Sequence, residues 1–275
     1  MVAEPGRIGI VTLLIRANPS PDPEGRVLAT RDALRHCAME VFQLAPGAEL
    51  ARIDDVRETC LVLLSGQGRL EAEGLTRTAI GGRKNPFTAA GHAAYIPARN
   101  RFRFRAETDC ELALCLAADE RGKIPPRIIG PRSWQVSTRG AGSTARLIRD
   151  ILPETEPAAS LLVVEVITPG GHWSSFPPHK HDTDDWPHET ALEEVYYHRF
   201  ARPSGFGVQR VYTKDRSLDA ALPLDDGCAV LVPRGYHPVS AAPGCDLYYL
   251  NVMAGPRRLW RVRVDTDHAA ATENF

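Results

Sequence analysis

Short apolar runs separated by turn residues constrain the fold of this chain more than any other feature. Such runs fall at residues 60–64, 110–116, 161–167, 194–197, 207–212, 229–232 and 247–252. Glycine and proline, 22 of each, supply the backbone conformations that turns require. Many short β runs broken in this way are the pattern of sandwiches and barrels, so an all-β fold is expected. Residues 8–15 read as one more strand, being too short to span a bilayer. Helical signals are few. Residues 30–40 suggest a short helix, and residues 217–222 a capped turn or two with Ser217 as N-cap.

Two stretches echo each other. Tyr95-Ile96-Pro97-Ala98-Arg99-Asn100-Arg101 and Leu231-Val232-Pro233-Arg234-Gly235-Tyr236-His237 each carry an apolar pair, then proline, then a turn containing arginine. A divergent repeat of this kind predicts two tandem β-barrel units. The stretch 125–142, rich in proline, glycine, arginine and serine, is the natural joint. The expected division is a first barrel over 1–125 without metal, a linker over 126–145, and a second, metal-binding barrel over 146–275.

Hydrophobic residues make up 43% of the chain, enough for a sizeable core. The net charge of -1 gives no electrostatic case for nucleic acid or an anionic membrane surface. None of the six cysteines forms a CxxC pair, which suits reduced thiols buried in a cytoplasmic protein. Cytoplasmic residence without membrane association is therefore expected.

Six of the nine histidines lie between His172 and His237. In His179-Lys180-His181, strand alternation turns both imidazoles to one side and Lys180 to the other. Further on, alternation puts Glu194, Tyr196 and His198 on one face of a strand and Glu193, Val195, Tyr197 and Arg199 on the other. A carboxylate entering a barrel interior is costly unless a cation meets it. His237 follows the turn set by Pro233 and Gly235. His179, His181, Glu194 and His237 thus form a three-histidine, one-carboxylate set for one divalent metal ion, with Glu193 or His188 as alternative ligands. Zn or Mn suits it first, then Fe or Ni, with positions left open for substrate or water.

These motifs resemble the cupin pattern: a glycine, HxH, a glutamate, then a second motif with proline, glycine and histidine. The chain departs from it in two places. Residues 182–189 intervene between His181 and Glu194, and only Tyr236 separates Gly235 from His237. The run from Gly170 through Ser174-Ser175-Phe176-Pro177-Pro178-His179-Lys180-His181 to Asp182 resembles the bacterial 5-deoxy-glucuronate isomerases of myo-inositol catabolism. So do residues 192–198, 209–213, 232–239 and 246–255, and, more loosely, 61–66 and 81–83.

The resemblance implies a bicupin, two tandem jelly-roll-like barrels, with metal in the second only. No HxH occurs before residue 140, which agrees. It also implies a metal-dependent aldose–ketose isomerase that converts 5-deoxy-glucuronate to 5-dehydro-2-deoxy-gluconate, with a small sugar acid as partner and a homo-oligomeric assembly. Candidate bases are His198, which shares the face of Glu194, then Glu193 and Tyr249; a metal-assisted hydride shift would need none. The substrate carboxylate calls for an arginine. Arg210 is the first choice, with Arg199 and Arg234 nearby, and Trp173 and Tyr236 are candidate pocket walls. The competing functions are a cupin dioxygenase, a non-catalytic sugar-acid-binding cupin and a sugar-phosphate isomerase.

Overall fold

The computed structural model describes residues 12–30, 32–119 and 124–268, and among them there is no α-helix. It follows that no helix among them is long and apolar enough to cross a membrane. A seven-stranded antiparallel sheet runs in the order Leu14–Ile15, Ala229–Val232, Glu193–Phe200, Leu247–Ala254, Leu162–Thr168, Arg146–Leu152, Gln135–Arg139. A nine-stranded sheet takes most of the first half, with Cys37–Leu44, Arg57–Ala72 and Cys110–Ala118 at its centre. A four-stranded sheet of Trp173–Ser174, Val239–Ala241, Gly207–Tyr212 and Asp219–Leu224 and a pair, His179–Lys180 with Arg263–Val264, complete the fold.

The central strands read as continuous apolar runs because both of their faces are covered. Period-2 alternation splits Arg57–Ala72 between two cores. Leu61 and Leu63 pack with Phe42, Leu112 and Phe104, whereas Cys60, Val62 and Leu64 join Met39, Val41 and Cys115. The second group is continuous with residues of the seven-stranded sheet such as Val163 and Leu250. A buried ion pair crosses the same boundary. Arg83 donates from Nη1 to both Glu165 oxygens at 3.0 Å, Arg149 adds a bond at 2.8 Å, and the Tyr248 hydroxyl donates at 3.0 Å. Glu58, wholly buried, accepts the backbone N–H groups of Ala159, Ser160 and Leu161 and the Tyr95 hydroxyl.

Both expected helices are strands or turns instead. Residue 31 lies outside the described residues; beyond it the chain turns and enters Cys37–Leu44, which pairs with Arg26–Ala29 and Cys110–Ala118 and puts Met39 and Val41 in one core and Phe42 and Leu44 in the other. At 217–222, Asp215 organises a turn by accepting the Ser217 backbone N–H and the Ser217 and Thr213 hydroxyls. The chain then continues as Asp219–Leu224 against Gly207–Tyr212. The segment 126–145 contributes a strand to each large sheet, Arg127–Ile129 and Gln135–Arg139. Of the strand expected over 8–15, Leu14–Ile15 forms, paired with Ala229–Val232; residues 8–11 lie outside the described residues.

Candidate metal centre

Strand register brings the polar residues of distant segments side by side. On Glu193–Phe200, residue 194 faces Met253, 196 faces Asn251 and 198 faces Tyr249. Asn251 and Tyr249 in turn face Val164 and Val166 of the next strand. One face of the sheet therefore carries Glu194, Tyr196, Tyr249, Asn251 and Met253 in a continuous patch, and these line a cavity of about 250 Å³. His179 lines the same cavity, as do Arg139 and Arg146 at the edge of the sheet and Trp260 from the C-terminal segment.

Within the wall, Glu194 Oε2 lies 3.1 Å from His181 Nε2 and 3.0 Å from His237 Nε2. The ligand atoms of these three buried residues lie within 4.8 Å of one another. His179 stands against them, its ring centre 5.2 Å from that of His237 and 6.4 Å from that of His181.

Backbone carbonyls orient all three imidazoles through Nδ1: Pro177 for His179, Leu192 for His181 and Gly235 for His237, at 2.9–3.2 Å. A carbonyl can only accept, so each Nδ1 carries the proton and each Nε2 is free to act as a ligand. His237 Nε2 is buried without a hydrogen-bond partner despite its closeness to Glu194. Nitrogen lone pairs turned towards a buried carboxylate are mutually repulsive, and a shared cation converts that repulsion into attraction. The donor set thus fits a divalent ion of the Zn, Mn, Fe or Ni type.

The electrostatics keep His179 proton-free and draw positive charge in between Glu194 and His181, where a cation would stand. Burial pulls the His179 pKa down to about 3, helped by the neighbouring imidazoles, so its nitrogen stays unprotonated. Burial pushes the Glu194 carboxyl up, but His237 and His181 outweigh it and hold it well below the ordinary range. Burial also lowers His181, but Glu194 more than offsets it and the net shift is upward. Asn251 Nδ2 donates to Glu194 Oε1, the oxygen that faces neither close histidine.

Several expected site residues lie elsewhere. Glu193 is on the opposite sheet face, where it accepts the His36 backbone N–H at 2.6 Å, so it can be neither ligand nor base. Arg199 shares that face and is committed to Glu111 and Asp226. Arg210 points outward to Asp219, with bonds of 2.8 and 2.7 Å, while its neighbour Gln209 takes the inward position. Trp173 is 39% exposed and packs on Phe176, outside the cavity wall. Tyr236 is buried against Tyr212, also away from it. His198 faces the expected way but lies stacked on Tyr196 at 5.9 Å, fully buried, and does not reach the cavity. Burial lowers its pKa to about 3. His188 is exposed in the intervening loop. That loop is anchored instead by Glu189, which accepts Lys180 Nζ and the N–H groups of Asp182 and Thr183. Tyr249 does line the cavity, its hydroxyl 2.6 Å from Ser174 Oγ.

Sequence reasoning missed Asn251, Tyr196 as a wall residue, and the Arg139 and Arg146 pair. Asn251 carried a signal, since a lone amide in an otherwise apolar strand needs a partner.

Comparison with solved structures places the fold first. An oxalate decarboxylase of Bacillus subtilis, described with Mn(II) centres, superposes with a TM-score of 0.64 at 12% identity, covering 92% of this chain and 79% of its own. The chain is therefore an all-β protein of cupin-like fold. An IolB-like protein of Salmonella typhimurium superposes with a TM-score of 0.90 at 42% identity, covering 94% and 99% of the two chains. The KduI/IolB family model matches residues 16–271, and the chain belongs to that family. It is 47% identical to the 5-deoxy-glucuronate isomerase of Geobacillus kaustophilus over 93% of this chain and 94% of that one. It is 39% identical to that of Bacillus subtilis over 88% and 90%.

Proposed function

We propose that this chain is a metal-dependent 5-deoxy-glucuronate isomerase, interconverting the aldose with 5-dehydro-2-deoxy-gluconate. The names of its close relatives support the reaction. The observation that carries the chemistry is the convergence of His181, His237 and Glu194, with His179 beside them, in the wall of a cavity sized for a small ligand.

His179, His181, Glu194 and His237 would hold one divalent ion. Such an ion supplies Lewis acidity, polarising the vicinal oxygens of the sugar and stabilising the negative charge that develops on them. Asn251 keeps the Glu194 carboxylate aimed at the imidazoles. Burial lifts the Tyr249 pKa above its ordinary value, so its hydroxyl keeps its proton. With Ser174 orienting that hydroxyl, Tyr249 is suited to donating a proton to the substrate's carbonyl oxygen and recovering one from the neighbouring substrate hydroxyl, which loses its proton in the same isomerisation. Two tandem barrels, the first structural and the second metal-binding, are part of the same reading. The two large sheets, drawn mainly from before and after the segment 126–145, support it, although Leu14–Ile15 joins the second.

The test is turnover of 5-deoxy-glucuronate by protein stripped with a chelator and reloaded with Mn, Zn, Fe or Ni. Stoichiometric ketose formation without oxygen uptake is expected. Oxygen consumption, or saturable binding of the sugar acid with no product, would overturn the proposal.

A further inference from the structure

Two arginines face each other directly on the hairpin at the edge of the cavity. Arg139 ends one strand, Arg146 begins the next, and the two are cross-strand partners. Like charges so placed repel, and the hairpin gains nothing from them unless an anion intervenes. Arg139 is partly accommodated, with Asp150 at 3.8 Å and the Trp260 ring centre at 5.6 Å. Arg146 is not. Among the described residues its guanidinium makes no ion pair, and its Nε is buried without a hydrogen-bond partner. Its one fixed contact is Nη1 donating to the Thr144 carbonyl at 3.0 Å.

The turn is shaped around this group. Gly140 has a φ of +77°, and a Cβ there would lie 2.3 Å from the Thr144 carbonyl oxygen and 2.8 Å from Arg146 Nη1. Thr144 Oγ1 closes the turn by donating to the Ala141 carbonyl at 2.9 Å. The guanidinium is thus pre-positioned by its own hairpin. It shares the cavity wall with Ile148, Val164 and Val166, whose low polarity strengthens any ion pair formed there. Burial depresses the Arg146 pKa, as expected for a cation lacking a counter-ion.

We propose that Arg146, with Arg139 beside it, is the carboxylate-binding residue of this cavity and selects sugar acids over neutral sugars. The assignment rests on the isomerase reading above and names the group that recognises the substrate's acid end. A planar fork with unused donors matches a carboxylate in bidentate fashion. A phosphate dianion would call for more positive charge than Arg146 and a half-committed Arg139 supply, with Asp150 close by.

The test compares 5-deoxy-glucuronate with 5-deoxy-glucose, which carries CH2OH in place of the carboxylate. Half-saturation is read from ligand-induced melting shifts of the metal-loaded protein, and turnover is followed in parallel. The wild type is expected to favour the acid by about tenfold to a hundredfold, the scale of one buried charged hydrogen-bonded contact. Arg146→Gln should lose that preference by binding the acid more weakly, with the neutral sugar unchanged, and Arg146→Lys should keep part of it. The proposal is overturned if Arg146→Gln retains the preference, if it weakens both sugars alike, or if the wild type shows no preference. Arg146-dependent acid binding without turnover sustains this assignment and sinks the isomerase reading. Turnover with Arg146-independent binding does the reverse.

Discussion

Replacing Asn251 with leucine removes one hydrogen bond at the centre of the site and leaves the histidine contacts of Glu194 in place. Glu194 is 2% exposed, with Oε2 turned to His181 and His237 and Oε1 held by Asn251 Nδ2. A hydrogen bond to a charged group contributes about 1.5–3 kcal/mol, which is about 10- to 150-fold in an equilibrium constant. Outer-shell partners of metal ligands typically change metal affinity by about 10- to 100-fold. Asn251→Leu should therefore weaken metal binding by about 10- to 100-fold, measured by competition with a chromogenic chelator. The metal-free protein should also melt lower, because a buried carboxylate oxygen loses a close donor. Unchanged metal affinity together with a lowered melting point would show that Asn251 supports the sheet and not the ligand.

Tyr249→Phe keeps the ring and removes the hydroxyl bonded to Ser174, so kcat should fall by about 10²- to 10⁴-fold with KM little changed; steady-state kinetics decide. Glu58→Ala orphans three backbone donors and the Tyr95 hydroxyl, and urea unfolding should show a loss of about 3 kcal/mol or more, since each buried unpaired donor costs about 1–3 kcal/mol. Gly235→Ala places a Cβ 2.4 Å from the Tyr212 carbonyl oxygen at a φ of +91°; metal content should drop because the shifted turn carries His237, whose Nδ1 rests on the Gly235 carbonyl.

Strand alternation made much of the site legible in the chain. The split of residues 193–199 into two faces, drawn from period 2 alone, matches the structure: Glu194, Tyr196 and His198 turn one way, and Glu193 and Arg199 the other. Alternation says nothing about which face meets a cavity and which meets another sheet. That is why Glu193 was misplaced as a base and Arg199 as a substrate ligand. Arg210 failed for a related reason. Its strand belongs to a different sheet, whose inward position is taken by Gln209, and nothing local distinguishes the two residues. The Arg139 and Arg146 pair depends on a hairpin inside a segment that reads as linker from its glycines and serines, although Gly140-Ala141-Gly142 is a turn signal in its own right. The helix expected at 30–40 is not formed because the apolar residues from Cys37 onward are shared between two cores on opposite faces of a strand, and tertiary burial overrides a weak local preference.

Metal content and turnover measured together on the wild type and on His237→Ala decide whether this cluster holds the catalytic ion. About one divalent ion per wild-type chain is expected, with at least roughly tenfold weaker metal binding in the variant and isomerisation that tracks occupancy. A variant that kept both its metal and its activity would rule out His237 as a ligand.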